Sequence, residues 1–507
     1  MKRYTYYIIC SLLMLSGAAV STSCDDYLDV NPDNRTQIDT EDKVTKLLVS
    51  AYSVSLPILV HEQMSDNVTD RGTSYSWDNL NCRDAYLFTE LFNDTEQDSP
   101  YELWESNYAA IAAANQALEA IEEMGGGSEL SAQRGEALIC RAYAHFTLCN
   151  IFCQAYNPQS SDTDLGIPYV YDIETDAFNH YERGTVADVY SKIAADIEEG
   201  LPLIDDNLYT QPKYHFNKAA ANAFAAEFYL YYGDYERAVE CATAAIGDNP
   251  LSRMRDFSNY DSYTGSAEIT NAWVDSSLAC NLFLQGITSW AGRMGYQSRA
   301  AHTRALVNET LGSFGPWGNT TLVYNNYMRY YTAGSIPSYF FPKQNEFFVY
   351  TDQVQGIGIG HIMNVRFSVE RTLLNRAEAY TMLGMYDQAA TDLSDFYIAS
   401  GGTSSQLSAS AISSWYETAN DIYKRTLAPR FTVNAGMQEN LIQACLHARR
   451  ILTLHEGTRL MDLKRYGIAY THEVQDGVNI EIQPYDPRLA LQIPNMAIEA
   501  GMEANPR

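Results

Sequence analysis

Three short stretches set a flat aromatic ring beside polar side chains. Trp77 stands with Tyr75, Arg71, Asp78 and Asn79, Trp290 with Arg293, Tyr296 and Gln297, and Trp317 with Asn319. That mixture suits a sugar. The axial C–H bonds of a pyranose pack on the π-face of Trp or Tyr, while its hydroxyls need Asn, Asp, Gln or Arg at the edges. On residue chemistry alone the candidate ligand-binding set is Arg71, Tyr75, Trp77, Asn79, Trp290, Tyr296 and Trp317. The bland alternative for each ring is a core or loop anchor. Trp104, at helical spacing with Tyr101 and Tyr108, reads as core.

Two other constellations suggest chemistry and fall to plainer readings. Glu456, Arg459, Asp462 and Arg465 alternate in sign at close spacing. A network of ion pairs fixing a loop against the last helix accounts for them better than acid–base catalysis. His145, Cys149 and Cys153 share a helical face. They invite a metal, but the surrounding CRAYAHFTLCNIFCQAY reads as a buried face, where free Cys is common. No catalytic residue, metal ligand or cofactor is therefore predicted. A helical glycoside hydrolase would need two carboxylates roughly 5–9.5 Å apart, and no local motif points to such a pair.

The elements that must carry these residues are mostly helical. Asn217 to Pro250 resembles a tetratricopeptide hairpin, with Ala226, Tyr229, Gly233, Tyr235, Ala238, Ala245 and Pro250 in consensus places. A shift of 151 lays Ala226–Glu227 on Ala377–Glu378, Tyr229 on Tyr380, Gly233 on Gly384 and Tyr235 on Tyr386. Such hairpins bury their apolar faces only by stacking. Ser99–Pro100–Tyr101–Glu102 and Thr185–Val186–Ala187–Asp188 are further helix starts. The predicted fold is mainly α. Helical hairpins at about 99–156, 185–250, 368–400 and 438–467 form a scaffold, and a loop-rich, minor-β insertion at about 251–367 holds ligand. Residues 61–98 read as a long structured loop, and 401–433 as mostly loop.

Composition narrows the function. The chain has 507 residues, with 34 Lys+Arg against 63 Asp+Glu and a net charge of −29. Nucleic acid and anionic membrane surfaces are poor partners for such a chain. Its 38 Tyr suit wet binding surfaces. Lys2 and Arg3 precede an apolar run, Ile8 to Val20, too short to span a bilayer. Small residues and Cys24 follow. Residues 1–23 are predicted to be a lipoprotein signal peptide. Cys24 is the expected lipidation site, 24–40 a tether, and 41–507 a single domain.

An ordered set of motifs gives the chain a family resemblance. It comprises Cys24–Asp25–Asp26–Tyr27–Leu28–Asp29; Arg141–Ala142–Tyr143 with Phe146 and Leu148; Leu165–Gly166–Ile167–Pro168; and Arg371 to Tyr380. Glu456–Gly457–Thr458–Arg459, Asp462–Leu463–Lys464–Arg465, Gly467, Ile493–Pro494 and Asn505–Pro506–Arg507 close it. In these the chain resembles the SusD/RagB family of outer-membrane lipoproteins from Gram-negative glycan-degrading bacteria. Tyr466 departs from the pattern, standing where Trp is common. The resemblance implies four tetratricopeptide-like hairpins packed on an irregular half, and a lipid anchor at the cell exterior. It also implies an oligosaccharide ligand and a TonB-dependent (SusC-like) transporter as partner, with no enzymatic activity. The alternatives are a peptide ligand within the same family, a helical glycoside hydrolase, or a ligand-free assembly adaptor.

Overall fold

A computed structural model describes residues 38–507 apart from 78, 92–95, 174–180, 259 and 313–314. The expected signal peptide, Cys24, most of the tether and Asp78 lie outside the described residues.

Most of the chain is helical, as the repeats require. The first helix, α1 (Glu41–Leu48), is capped by Thr40. The stretch read as a long loop contains two more, α2 (Ile58–Met64) and α3 (Leu80–Leu87). All seven residues of α2 are buried. A helix covered on every side shows no amphipathic period, so the sequence pattern does not betray it.

The scaffold starts at α4 (Pro100–Glu123), where the Ser99 side chain accepts from the Glu102 backbone N–H. The chain turns back into α5 (Ser131–Phe152), and α6 (Val186–Gly200), capped by Thr185, packs on α5. The first repeat copy is α7 (Lys218–Tyr232) and α8 (Tyr235–Ile246); the second is α10 (Val369–Met382) and α11 (Tyr386–Ala399). Between them lies α9 (Ala291–Gln297). Gly233 and Gly384 sit at φ +87° and +74°. Only Gly adopts this left-handed turn without steric cost, which explains its presence in both copies. The copies are neighbours in space, because α8 packs directly on α10. Next, α12 (Ala409–Thr418), capped by Ser408, occupies part of the stretch expected to be loop. It packs on α13 (Met437–Leu452), which lies against α10 and α11. Finally, α14 (Arg459–Tyr466) contacts α2.

Buried ion pairs lock these helices. Glu227 on α7 accepts from Arg366 at 3.0 Å and from Arg371 on α10 at 2.7 Å. Its counterpart one repeat later, Glu378, accepts from Arg449 on α13 and from Arg465 and Tyr466 on α14, the last two at 2.7 and 2.6 Å. The C-terminal signature therefore does form an ion-pair network, but its members reach outward. Glu456 takes Lys343 at 2.9 Å, Arg459 takes Asp66 at 2.8 Å and Asp462 takes Arg449 at 2.7 Å. Tyr466, the departure from the family pattern, spends its hydroxyl on this network.

The irregular half rests on an antiparallel sheet of order β2–β7–β6, from β2 (Asn281–Thr288), β7 (Ile357–Ser368) and β6 (Phe347–Asp352). Two small ladders frame the candidate site. The first pairs β1 (Thr69–Asp70) with β3 (Ala300–Ala301), and the second pairs β4 (Arg329–Tyr331) with β5 (Ser338–Phe340).

Candidate functional site

The candidate residues fall into three groups, sorted by what covers their rings. Pairing of β1 with β3 brings Arg71 and Tyr75 to the end of α9. The Arg71 guanidinium donates to the carbonyls of Gln297 at 2.9 Å and Ser298 at 2.6 Å, and to those of Tyr296 and Ile336 at 3.5 and 3.4 Å. It lies 3.8 Å from the centroid of the Tyr75 ring. The Tyr75 hydroxyl donates to Ile336 O and accepts from Ile336 N. A Cβ at Gly334 would come within 2.8 Å of the Tyr75 ring, so only Gly permits that approach. Both side chains are buried. Arg71 and Tyr75 thus tie the 71–75 turn, the end of α9 and the β4–β5 connection together; they present no open face to a ligand.

What this clamp holds in place is an aromatic platform. Tyr296 on α9 stacks on Phe340 of β5, with centroids 4.1 Å apart and planes at 14°. Tyr331 of β4 meets Tyr296 edge-on at 5.6 Å. Each of the three is partly exposed. Burial pushes the Tyr296 phenol up, keeping it a neutral donor and acceptor. Exposed Ser74, Thr332 and Ser335 add hydroxyls nearby, with Ser74 and Ser335 3.4 Å apart. Trp290 stands one turn and a half earlier at the start of α9, half-buried. Its backbone N–H donates to Asp98 at 2.8 Å. Asp98 is itself buried, which pushes its carboxyl up to about 7, and both of its oxygens are occupied by Ser289 and Trp290.

Trp77 sits beside Arg299, the residue before β3. Its half-buried ring packs on Tyr86 at 5.8 Å and lies 5.1 Å from the Arg299 guanidinium, which Asp70 holds at 2.7 and 2.8 Å. Asn79 caps α3 by accepting from Cys82 N at 2.8 Å. Trp317 is a correction to the sequence reading. It is 5% exposed, packed on Tyr397 and His447 of α11 and α13, and its indole N–H donates to Thr320 O at 3.2 Å. Of the seven residues, Tyr296, Trp290 and Trp77 keep accessible ring surface, while Arg71, Tyr75, Asn79 and Trp317 are committed to packing and hydrogen bonds.

Sequence reasoning did not select Phe340 or Tyr331. The available signal was strand alternation, since Arg329–Tyr331 and Ser338–Phe340 pair in register and place Tyr331 opposite Ser338 and Arg329 opposite Phe340. The metal reading of His145 has no support: one ring nitrogen contacts Arg141 O at 2.9 Å and the other accepts from Val170 N at 3.1 Å. Among the described residues no cluster of His, Cys, Asp and Glu could hold a metal ion. A cavity of about 1120 Å³ opens on the helical half, beside Trp104 and Tyr108. Ile38, Ile173 and Tyr181 also line it.

Several known proteins are similar to this chain. Residues 26–230 match the profile of a SusD-like family described as starch-binding and associating with the outer membrane. Two SusD-like proteins of Formosa agariphila are similar. One is 26% identical over 280 residues, covering 51% of this chain and 50% of the relative; the other is 25% identical over 272 residues, covering 50% and 48%. The chain thus spans about half the length of these curated relatives. A SusD superfamily protein from Bacteroides vulgatus has the same fold, at TM-score 0.66 and 20% identity, over 93% of this chain and 99% of that one. A putative sugar binding protein from the same organism matches at TM-score 0.65 and 19% identity, over 93% and 99%.

Proposed function

We propose that the chain is a SusD-like protein and, from that premise, an outer-membrane carbohydrate-binding protein whose ligand rests on the Tyr296–Phe340–Tyr331 platform. One observation carries this reading. A stacked aromatic pair with a third ring edge-on stays partly exposed, held by a buried guanidinium and edged with hydroxyls. An aromatic face accepts the C–H face of a sugar, and surface hydroxyls and amides can meet its edge. The description of the matched family as starch-binding supports the ligand class.

The protein binds rather than cleaves. The carboxyls with strongly raised pKa values, Glu62 and Asp98, both at about 7, are buried and hydrogen-bonded away from solvent. The test is calorimetry of the purified chain against maltooligosaccharides and a wider oligosaccharide panel, with reducing-sugar release followed in parallel. Tyr296→Ala is expected to weaken binding at least about tenfold with little change in melting temperature. Trp317→Ala, by contrast, should lower stability by about 3 kcal/mol, because it empties a core site. Unchanged affinity in Tyr296→Ala would reject the platform, and turnover would reject a pure binding role.

Delivery to a TonB-dependent transporter and lipid attachment through Cys24 complete the proposal. Cys24→Ala should move the protein from the outer-membrane fraction to the soluble one. Retention of the variant in the membrane fraction would overturn the anchor.

A further inference from the structure

The charge around the platform reverses that of the chain. Over the whole sequence 34 basic residues face 63 acidic ones. From Asn281, where β2 begins, to Lys343, just past β5, five residues are basic (Arg293, Arg299, Arg304, Arg329 and Lys343) and only Glu309 is acidic. Three of the five are already matched. Arg293 meets Glu346 at 3.3 Å, Arg299 is held by Asp70 and Asp476, and Lys343 is buried against Glu456. Glu309 faces a cleft with Arg425, Arg450 and Arg459. Arg304 and Arg329 pair with no acid among the described residues.

Both of these cations stand at the β4–β5 ladder. Arg329 is directly opposite Phe340 in the register, and Tyr331 follows it two places on. Facing residues of an antiparallel pair, and alternate residues of one strand, project from the same face. Arg329 therefore shares the face that carries Phe340 and Tyr331 to Tyr296, and it is partly exposed. Its Nη1 donates to the carbonyls of Tyr327 at 3.1 Å and Met328 at 3.3 Å. Those bonds fix the head and leave the Nε–Nη2 edge open among the described residues. That edge is the fork that takes a carboxylate or sulfate through two parallel hydrogen bonds. Arg304 is set along the other edge of β5, where Tyr339 N donates to His302 O at 2.7 Å and Thr303 bridges to Ser338. Its exposed guanidinium lies 4.1 Å from the centroid of the Tyr339 ring. Tyr339 in turn pairs across the ladder with Tyr330, which is 68% exposed.

We propose that the carbohydrate on the platform is anionic. Arg329 takes a carboxylate or sulfate of the sugar that rests on Phe340, and Arg304 meets a second acidic sugar of the same chain beside Tyr339 and Tyr330. The inference rests on the platform reading above and adds the ligand's charge to it. Each face of the ladder sets a cation without an acid beside aromatic rings, which is the pairing an acidic sugar needs and a neutral one does not use. The chain's overall negative charge opposes this only weakly. Salt screens charges beyond about 8 Å at physiological ionic strength, whereas a guanidinium in contact with the ligand acts in full.

Calorimetry of the full chain tests this with matched pairs that differ only in charge. An oligogalacturonide and an oligoalginate are each set against their carboxyl-reduced forms, and a κ-carrageenan oligosaccharide against its desulfated form. In at least one pair the anionic member should bind about tenfold or more tightly, and the gap should narrow as NaCl rises from about 50 to about 300 mM. The pair that shows the gap tells carboxylate from sulfate. Arg329→Gln should erase most of the gap and Arg304→Gln part of it. Arg329→Lys should keep only part, since an ammonium lacks the fork. The melting temperature should hold in all three, because neither side chain is buried. Tyr296→Ala should instead weaken both members of the pair alike. Equal binding of charged and neutral members in every pair would overturn the proposal, as would a gap that survives loss of both arginines. A pentaglutamate that binds as tightly as the favoured oligosaccharide would also overturn it, by making the patch a general anion site. Normal binding by Tyr296→Ala, with the gap still lost in Arg329→Gln, would reject the platform and leave the charge preference standing.

Discussion

Glu378→Ala is expected to destabilise the fold by about 3–5 kcal/mol, a large fraction of the roughly 5–15 kcal/mol that holds a domain together. Glu378 lies fully buried on α10, where Arg449, Arg465 and Tyr466 converge on its two oxygens. Arg449 bridges onward to Asp462 at 2.7 Å. Removing the carboxylate strips Arg465 of its close acid and leaves Arg449 with Asp462 alone, in an interior where water cannot solvate them. Burial raises the Glu378 carboxyl, but Arg465 and Arg449 outweigh that and bring it down to about 2. Glu227 is likewise held at about 2, with Arg371 and Arg366 overcoming its burial.

These shifts also set a pH profile. A carboxyl whose folded pKa is depressed stabilises above its unfolded value, and that stability is lost as pH falls from about 4.5 to about 2. His61, His145, His302 and His447 are each depressed by burial to about 3. A depressed His favours the folded state above about 6.5 and loses that contribution as pH falls to about 3. Glu62 and Asp98, raised to about 7 by burial, act oppositely, losing stability as pH rises from about 4 to 7. Burial also depresses His455 and His472 and raises Glu102, Asp392, Asp395 and Asp462, so the two classes oppose each other above about pH 4.5. Below that, chemical denaturation should show stability rising from pH 2 to about 4.5, as Glu227 and Glu378 ionise. The rise below pH 4.5 should be shallower in Glu378→Gln. A melting temperature for Glu378→Ala within a degree or two of the parent would sink the hub reading.

Arg71→Ala should weaken carbohydrate binding as severely as Tyr296→Ala, although the guanidinium reaches no ligand. The side chain is 1% exposed and spans the carbonyls of Tyr296, Gln297, Ser298 and Ile336. Its loss leaves those acceptors short of a donor and frees the end of α9 from the β4–β5 connection, so Tyr296 and Phe340 lose their fixed stacking. Hydrogen bonds to a charged donor are worth about 1.5–3 kcal/mol each, and an unpaired buried partner adds to the cost. Arg71→Lys should recover little, because an ammonium offers a point charge where a planar fork is needed. Binding calorimetry with a far-ultraviolet dichroism control separates loss of the platform from global unfolding. Normal affinity in Arg71→Ala would show that the platform does not need the clamp.

Where the sequence was legible, the physics was local. Ser99 and Thr185 accept from backbone N–H groups three residues on, and Gly233 and Gly384 take the left-handed turn. These interactions close within a few residues, so spacing alone reveals them, and with them the mainly helical, repeat-built frame. The Ala–Glu step shared by the two copies was visible as well, though not its meaning. Glu227 meets Arg371 across 144 residues, and Glu378 meets Arg465 across 87. Such partners are chosen by which helices stack, and helix α2, buried on every side with His61, Glu62 and Gln63 among its seven residues, leaves no periodic trace of its place. The ligand surface follows the same division. The sequence by itself determined which stretches are rich in aromatic and polar side chains. Only the tertiary structure decided that Trp317 is core, that Arg71 and Tyr75 form a buried clamp, and that Tyr296 and Phe340 form a partly exposed platform. Exposure is a property of what packs on a side chain, and here the packing residues come from other helices and strands.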